Sequence, residues 1–340
     1  MALRKYSLGF LTLGCSVARW ARCDTRVRSR EVSRWPMKIL AGVVTLLTWY
    51  AIASLAQAQD PINPATSPRQ VPMNPAERAN LRWVLDWWRQ VIEAGHLELA
   101  PKYQAESYIQ HNPNISTGRA GFLAAFGEEN SPVNPIPEQL KNPPRIAGAR
   151  GDYVWMMFAR RREATAATPE YIQYHFDLLR LQGGQLQEHW DANRKRPGSG
   201  AVVHGVSPKP PAQFATGNLT AAERETRSIA IKVASQIYLE GRTELAADLM
   251  SADYIEHNPN MQRKGNVQDR LRAFEPPQTL RSVEPTLALV NGEYVLMMWD
   301  LTAPDPDDGT RQYPWNYFQL VRVRDGKVVE HWDQDAPRGT

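Results

Sequence analysis

The chain has 340 residues, of which 42% are hydrophobic and 22% charged, and it carries a formal net charge of +4 with only two cysteines. This composition excludes a disordered, collagen-like or multi-span membrane protein, and the length favours two domains over one. The basic balance suits a nucleic-acid partner only if the positive charge lies in a folded domain.

The first 58 residues hold the basic surplus and both cysteines. They contain nine Lys and Arg residues and two acidic residues, which leaves 31 basic and 34 acidic residues downstream. Cys15 and Cys23 also lie here, so the rest of the chain offers no disulfide, thiol nucleophile or zinc-thiolate site. The downstream chain is mildly acidic, and we therefore expect no nucleic-acid partner.

The segment from Met37 has the layout of a secretory signal peptide. A short basic start precedes an apolar run over 39–55, and Ala56-Gln57-Ala58 supplies small residues for cleavage. We expect Met37 to be the true start, cleavage after Ala58, and a soluble product in the periplasm or outside the cell. Two alternatives stay open: residues 1–36 are a long basic n-region, or the run is an uncleaved anchor, since it is near the lower limit of about 17 residues for spanning a bilayer. In either case the signal segment is the only membrane contact that we expect.

Downstream, three sequence blocks occur twice in the same order. YIQHNPN at 108–114 returns as YIEHNPN at 254–260, GDYVWMM at 151–157 returns as GEYVLMM at 292–298, and EHWD at 188–191 returns unchanged at 330–333. A period this long indicates a repeated domain rather than a solenoid repeat of about 20–50 residues. We predict a spacer at 59–72, domains at 73–193 and 218–338, and a linker at 194–217 that is rich in Pro, Gly, Lys and Ser.

Each predicted domain begins with a capped helix and ends in strands. Asn74-Pro75 with Glu77, and Thr220 with Glu223, are typical of helix starts, while a glycine at 95 and at 241 is placed to end the helix. Shorter helices are predicted at 97–104 and 119–128, and at 243–250 and 267–274. Strands are predicted at 153–161, 171–181 and 185–190, and at 294–301, 313–324 and 327–332, with hairpin turns at 183–184 and 325–326. Helices followed by antiparallel strands predict an α+β fold.

The last strand of each domain carries the most suggestive polar residues. Side chains alternate along a strand, so His189 and Asp191 share one face, and His331 and Asp333 repeat this arrangement. We interpret the doubled pair as part of a pocket; a simple His–Asp pair at an exposed strand end is the alternative. The His-Asn-Pro blocks are either part of that site or structural turns.

This order of elements, with the Tyr-Ile-x-His-Asn-Pro and Glu-His-Trp-Asp blocks, resembles the SnoaL-like polyketide cyclase family of the nuclear transport factor 2-like superfamily. The resemblance covers both predicted domains. It implies two tandem cone-shaped α+β domains, in each of which a curved antiparallel sheet and packed helices enclose an apolar pocket. It also implies that the domains pair as an intramolecular pseudo-dimer.

In the cyclases of that family an aspartate on a late strand is the general acid/base, and Asp191 and Asp333 match it. An aspartate in an apolar pocket has a raised pKa, which suits proton abstraction next to a carbonyl. The other catalytic candidates are His189, His331, His111 and His257. The substrate-binding candidates are Tyr108, Tyr254, Asn112, Asn258, His175, Trp155 and Trp299. His175 aligns with Tyr317, so the two pockets need not be equivalent.

Two functions follow from this pattern. The first is an enzyme that acts on a small apolar carbonyl compound by aldol condensation, isomerisation or dehydration, without a cofactor. The second is a periplasmic domain pair that binds a small apolar ligand or a protein partner without turnover. A third interpretation, in which His111, His189 and Asp191 bind iron or another divalent ion, is not favoured, and we expect no metal. Nothing in the sequence resembles a phosphate-binding glycine loop, a dinucleotide fingerprint or a nucleophile elbow.

Overall fold

The chain forms two units that share one order of elements. Each begins with a capped helix, and in the first unit a two-residue strand precedes that helix. The structure is a computed structural model, and it describes residues 69–127, 132–166, 168–199, 218–262, 265–280 and 282–338. The predicted leader at 1–58, most of the predicted spacer and linker residues 200–217 lie outside the described residues. The described residues up to 199 are called the first unit, and those from 218 onward are called the second unit.

Both helix starts follow the predicted capping chemistry. Helix α1 (Pro75–Trp87) begins after Asn74, whose side chain accepts the Glu77 N–H at 2.9 Å, while the Glu77 carboxylate accepts the Asn74 N–H at 2.8 Å. Thr220 and Glu223 make the same reciprocal bonds at the start of α4 (Ala221–Lys232). Each satisfies backbone groups that the first helical turn leaves open. Both helices continue into a wider π-helical segment, at Trp88–Glu93 and Val233–Leu239.

The next part of each unit contains a strand that the sequence analysis did not predict. The first unit has a short helix α2 (Ala100–Tyr103), the strand β2 (Gln104–Gln110) and the helix α3 (Gly118–Phe126). The second has α5 (Ala246–Leu249), β7 (Met250–Glu256) and α6 (Val267–Leu271). The pairing of β2 and of β7 with its neighbour shifts register within the strand, so the alternation that identifies strands is broken there.

The remaining strands build one mixed sheet in each unit. In the first unit these are β1 (Arg69–Gln70), β3 (Ile146–Arg150), β4 (Tyr153–Arg162), β5 (Tyr171–Gln182) and β6 (Gln185–Asp191), in the order β1-β3-β4-β5-β6-β2. In the second these are β8 (Leu287–Asn291), β9 (Tyr294–Pro304), β10 (Gln312–Arg324) and β11 (Lys327–Asp333), in the order β7-β11-β10-β9-β8. The predicted α+β class with two domains is confirmed. The expectation of purely antiparallel sheets is wrong, because β2 and β7 run parallel to β6 and β11 at one edge, and β1 runs parallel to β3 at the other.

Each sheet has an inner face that is covered by its own helices. In the first unit Val154, Met156 and Phe158 project from β4 into a core shared with α1. In the second unit the inner residues of β9 include Met297 and Trp299, which pack in the core below α4. His189 and Asp191 of β6, and His331 and Asp333 of β11, lie on these inner faces, whereas Glu188 and Glu330 lie on the outer faces.

The outer faces of the two sheets pack against each other. One continuous apolar cluster contains residues from both, and the Phe176 and Phe318 rings stack at its centre with centroids 5.7 Å apart. The Trp155 indole N–H donates to Asn291 Oδ1 at 2.9 Å across this contact. Neither sheet therefore leaves its apolar outer face to solvent. Within the described residues, no helix has both the length and the apolar character needed to cross a membrane.

Candidate functional site

The first site lies where three neighbouring strands meet on the inner face of the first sheet. Antiparallel pairing places Asp177 of β5 directly opposite Asp191 of β6, and parallel pairing places Gln110 of β2 opposite His189 of β6. All four side chains are buried, and Asp191 is only 2% exposed. Strand register alone therefore gathers two carboxyl groups, an imidazole and an amide.

Hydrogen bonds hold each of these groups in one orientation. Asp191 Oδ2 accepts from Asn112 Nδ2 at 2.7 Å, and Asp191 Oδ1 accepts from the backbone N–H of Asn193 at 2.9 Å. His189 Nε2 lies 2.8 Å from Asp177 Oδ1, and His189 Nδ1 lies 3.3 Å from Gln110 Nε2. Asp191 thus has an amide donor on each oxygen, while the imidazole is held between a carboxylate and a carboxamide.

Two more predicted residues join the first site. The Tyr108 hydroxyl accepts from Gln110 Nε2 at 3.1 Å, and burial together with the charges of Asp191 and Asp177 raises the pKa of Tyr108 well above its usual value. His175 Nε2 lies 3.6 Å from Asp177 Oδ2, an oxygen that accepts no hydrogen bond from the described residues. Tyr108 and His175 are therefore neighbours of the carboxyl groups rather than direct partners of Asp191.

The second site has the same plan with different groups. Asp333 is 1% exposed, and it accepts from Asn258 Nδ2 at 2.7 Å and from the backbone N–H of Asp335 at 3.1 Å. His331 Nδ1 lies 2.9 Å from Glu256 Oε1. The Tyr254 hydroxyl donates to Glu256 Oε2 at 2.6 Å. A glutamate on β7 thus takes the place that Gln110 has on β2.

Burial and neighbouring charges shift the pKa values of the second site. Burial, reinforced by the charge of Asp335, raises the pKa of Asp333 well above its usual value. Burial disfavours the ionised form of Glu256, but His331 and the Tyr254 hydroxyl outweigh it, and the pKa of Glu256 is lowered. Burial likewise disfavours protonated His331, yet the charge and hydrogen bond of Glu256 outweigh it and raise the pKa of His331. The site therefore contains a carboxyl group that favours its neutral form and a histidine paired with an ionised glutamate.

The pKa of His189 is shifted in the same direction as that of His331. Burial disfavours the protonated ring, but the hydrogen bond to Asp177 and the charges of Asp177 and Asp191 outweigh it and raise the pKa of His189. An imidazole hydrogen-bonded to a carboxyl group can take up a proton and return it, which is what acid/base chemistry requires.

The structure does not bring His111 and His257 to the buried aspartates. The His111 ring stacks on Trp190 with centroids 4.7 Å apart, and the His257 ring stacks on Trp332 at 4.8 Å. His257 Nε2 also lies 3.0 Å from Glu330 Oε1. Both histidines thus lie on the opposite face of the last strand from Asp191 and Asp333.

The two predicted tryptophans fall on different faces. Trp155 lies on the outer face of its sheet, in the contact between the units, where it donates to Asn291. Trp299 lies on the inner face of the second sheet, beside Tyr317 at 6.1 Å between ring centroids, and its indole N–H donates to the Val283 carbonyl at 3.1 Å. Of the two, only Trp299 shares a face with a buried aspartate.

Sequence reasoning missed several residues that contact or adjoin the buried histidines and aspartates, among them Tyr238, whose ring stacks on His331 with centroids 4.3 Å apart, and five residues with polar side chains. The five polar residues are Gln110, Asp177, Glu256, Gln319 and Asp335. A signal existed for Asp177 and Gln319, because each is a polar residue within the apolar run of a predicted strand and lies fourteen positions before Asp191 or Asp333.

Three groups of the first site have the composition of a metal-ligand set. Asp177, His189 and Asp191 place potential ligand atoms within 4.8 Å of one another, and all three residues are buried. However, the Asn112 N–H donates to Gln110 Oε1 at 3.0 Å, which turns the Gln110 NH₂ group toward His189 Nδ1. His189 Nδ1 must then accept, so the proton of the neutral ring lies on Nε2, the nitrogen that a metal would need. The donor set fits a His–Asp hydrogen bond better than a metal centre.

Comparison with known proteins shows that part of the chain is similar to a known family. Residues 235–331 match the family model of the SnoaL-like domain. No curated protein matches the chain.

Similar solved structures each correspond to about one third of the chain. They include IdmH of Streptomyces antibioticus, a proposed polyketide cyclase, with 15% identity over 33% of this chain and 89% of that chain, and a TM-score of 0.25. A proposed SnoaL-like polyketide cyclase of Jannaschia sp. CCS1 has 14% identity over 35% of this chain and 91% of that chain, with a TM-score of 0.26. TsrD of Streptomyces laurentii has 20% identity over 35% of this chain and 89% of that chain, with a TM-score of 0.23. The matched residues 235–331, which run from the π-helical segment of the second unit into its last strand, are therefore similar to the SnoaL-like domain.

Proposed function

We propose that the protein carries out acid/base chemistry on a small apolar carbonyl compound, by aldol condensation, isomerisation or dehydration, without a cofactor. One observation carries the proposal. In both units a buried aspartate at the end of the last strand is held by an asparagine amide and lies two residues after a buried histidine. The SnoaL-like domain at 235–331 supports the same class of chemistry for the second unit.

The chemistry needs a group that exchanges a proton with the carbon next to a carbonyl, and a donor for the oxygen. Asp333 has a raised pKa, so its neutral carboxyl can donate to the carbonyl oxygen and then, once ionised, accept a proton. Asn258 keeps this carboxyl in place through its amide, at 2.7 Å from Oδ2. In the first unit Asn112 holds Asp191 in the same way.

The experiment measures proton exchange directly. Cyclohexanone deuterated next to its carbonyl is incubated with the protein, and loss of deuterium is followed by NMR. We expect the parent to accelerate the loss and the double variant Asp191→Asn, Asp333→Asn to lose that acceleration by about 10²–10⁴-fold. The exposed Asp253→Asn serves as the matched control and should behave as the parent.

Binding without deuterium exchange would contradict the proposal. If parent and double variant both bind cyclohexanone with the same affinity and neither exchanges deuterium, catalysis is excluded for this class of ligand. The protein would then be a domain pair that binds a small apolar molecule.

We further propose that the two units arose by duplication, associate as an intramolecular pseudo-dimer, and are exported to the periplasm or beyond. The shared order of elements and the apolar contact between the sheets support the first two statements. Export rests on the sequence of residues 37–58 alone. N-terminal sequencing of protein from the native host should begin at Gln59, and a start before that residue would contradict cleavage after Ala58.

A further inference from the structure

The buried histidine of each unit lies next to one carboxylate position and one carboxamide position, but the two groups have exchanged strands. In the first unit the carboxylate is Asp177 on β5 and the carboxamide is Gln110 on β2. In the second unit Glu256 occupies the position of Gln110, directly before the His-Asn-Pro block. Gln319 occupies the position of Asp177, since it pairs with Asp333 as Asp177 pairs with Asp191.

In the first unit both ring nitrogens of His189 have hydrogen-bond partners. Gln110 Oε1 accepts the Asn112 N–H, so the Gln110 NH₂ group points to His189 Nδ1, which must accept. The proton of the neutral ring is then on Nε2, where it is donated to Asp177 Oδ1 at 2.8 Å. His189 has no ring nitrogen left for a ligand.

In the second unit only one ring nitrogen of His331, Nδ1, has a hydrogen-bond partner among the described residues. Glu256 Oε1 accepts the Asn258 N–H at 2.8 Å and lies 2.9 Å from His331 Nδ1, so Nδ1 carries the proton. His331 is fully buried, and its Nε2 has no hydrogen-bond partner among the described residues. Gln319 Oε1 is also buried and lacks a partner there.

His331 Nε2 and Gln319 Oε1 are therefore two buried polar atoms that can bind a polar group of a ligand. Leaving a buried polar atom without a hydrogen bond costs about 1–3 kcal/mol, so such atoms in a native protein call for an explanation. The side chains at these same positions in the first unit, His189 and Asp177, bond to each other. An oxygen-bearing group of a ligand satisfies His331 Nε2: a hydroxyl donates to the neutral ring, and a carbonyl accepts from the protonated ring.

We propose that the two units hold their buried histidines as opposite tautomers, and that, of His189 and His331, only His331 has a ring nitrogen, Nε2, that no described residue bonds and that can bind the oxygen of a small carbonyl or hydroxyl compound. Glu256 is the positioning residue that fixes the proton on Nδ1. The inference rests on the proposed function for its ligand class. The tautomers themselves follow from the hydrogen bonds, whether or not the protein turns over a substrate.

The tautomers can be read from long-range proton–nitrogen NMR spectra of protein labelled with ¹⁵N-histidine. The chain has seven histidines, and His189→Gln and His331→Gln assign the two signals. At a pH where both rings are neutral, we expect the unprotonated nitrogen to be Nδ1 in His189 and Nε2 in His331. Finding the same tautomer in both units would overturn the proposal.

Each unit supplies the matched control for the other. The double variant Glu256→Gln, Gln319→Asp gives His331 the partners of His189 and should move its proton to Nε2. The reverse double variant Gln110→Glu, Asp177→Gln should move the proton of His189 to Nδ1. A folded double variant whose tautomer does not change contradicts the assigned cause, and the parent spectrum tests the tautomers even if a variant does not fold.

The ligand is tested with phenol and, separately, cyclohexanone as probes. Titration should shift the His331 Nε2 resonance and leave both nitrogens of His189 in place. A shift of His189 as large as that of His331, or no response of His331 to either probe, would exclude the proposed site. Because these spectra need no turnover, a failed deuterium-exchange experiment and a failed tautomer assignment remain distinguishable.

Discussion

At the scale of single residues, one neighbour distinguishes the two buried aspartates. Asp335 follows Asp333 by two residues, and Asn193 holds the same place after Asp191. Each provides a backbone N–H to its aspartate, but only Asp335 adds a negative charge, and Asn258 Nδ2 lies 3.0 Å from its Oδ2. Burial and the charge of Asp335 together raise the pKa of Asp333, so the second unit keeps its carboxyl neutral over a wider pH range than an exposed aspartate.

We expect Asp335→Asn to lower the pKa of Asp333, because the variant keeps the backbone donor and removes the charge. A carboxyl group whose folded pKa is raised costs stability as pH rises above the unfolded value of about 3.9 and toward the folded pKa. Near pH 7 the variant should therefore unfold at a higher urea concentration than the parent. Its free energy of unfolding should rise by about 1.4 kcal/mol for each unit by which the pKa of Asp333 falls.

Urea unfolding at several pH values between 3 and 8 checks this prediction. The stability difference should vanish near pH 3, where Asp333 and Asp335 are protonated in both states. Asp253→Asn, which changes an exposed carboxylate, controls for net charge. A difference that is the same at all pH values would mean that Asp335 acts through packing rather than through the pKa of its neighbour.

At the scale of elements, two hairpins join the strands that carry the candidate sites. Between β5 and β6 the turn is Gly183-Gly184, with φ of 60° and 76°. Between β10 and β11 it is Asp325-Gly326, with φ of 51° and 73°. Two successive residues with positive φ are typical of the tight turn whose twist matches that of paired strands. The second hairpin thus tolerates a side chain where the first has glycine.

We expect Gly183→Asn to stabilise the protein by up to about 1 kcal/mol. Asparagine tolerates positive φ, a Cβ at this position meets no atom within 4 Å, and the loss of glycine reduces the freedom of the unfolded chain. Urea unfolding measures the gain, and Gly184→Ala should instead destabilise the protein because alanine does not adopt this φ readily. Lower stability of Gly183→Asn would show that the turn depends on glycine at both positions.

At the scale of the whole molecule, the contact between the units uses different bonds at its two corresponding ends. Arg150, the last residue of β3, pairs with Glu223 at the start of α4, with Nη1 and Oε1 3.0 Å apart. Asn291, the last residue of β8, donates to the Ala149 carbonyl at 2.7 Å and accepts from Trp155. An ion pair at one end corresponds to a buried amide at the other.

These bonds should contribute differently to the free energy of unfolding. Asn291→Ala leaves the Trp155 N–H and the Ala149 carbonyl buried without this partner, at a cost of about 1–3 kcal/mol each. Arg150→Ala removes a partly buried ion pair, in which the Arg150 and Glu223 side chains are 14% and 15% exposed, and we expect a smaller loss of about 1 kcal/mol because Glu223 keeps its hydrogen bond from the Thr220 N–H. Urea unfolding of both variants checks the order, and a larger loss for Arg150→Ala would place the ion pair above the buried amide.

The sequence predicts the parts of this fold that depend on neighbouring residues. Capping residues fixed both helix starts, turn residues fixed both hairpins, and alternation put His189 and Asp191 on one face. What it could not predict depends on which strands pair. The pairing of β2 with β6 joins Gln110 to a histidine 79 residues away, and because side chains alternate, it also places His111, one position later, on the other side. The partners of the buried histidines were missed for that reason.

The contact between the sheets bears on how the protein can change over generations. In a dimer of identical chains every substitution at such a contact occurs twice, in symmetric places, and must suit both. Here each position is encoded once, so Arg150 and Asn291 differ without conflict, and so do Gln110 and Glu256. The buried polar groups of the two units can therefore differ while each sheet still covers the apolar outer face of the other.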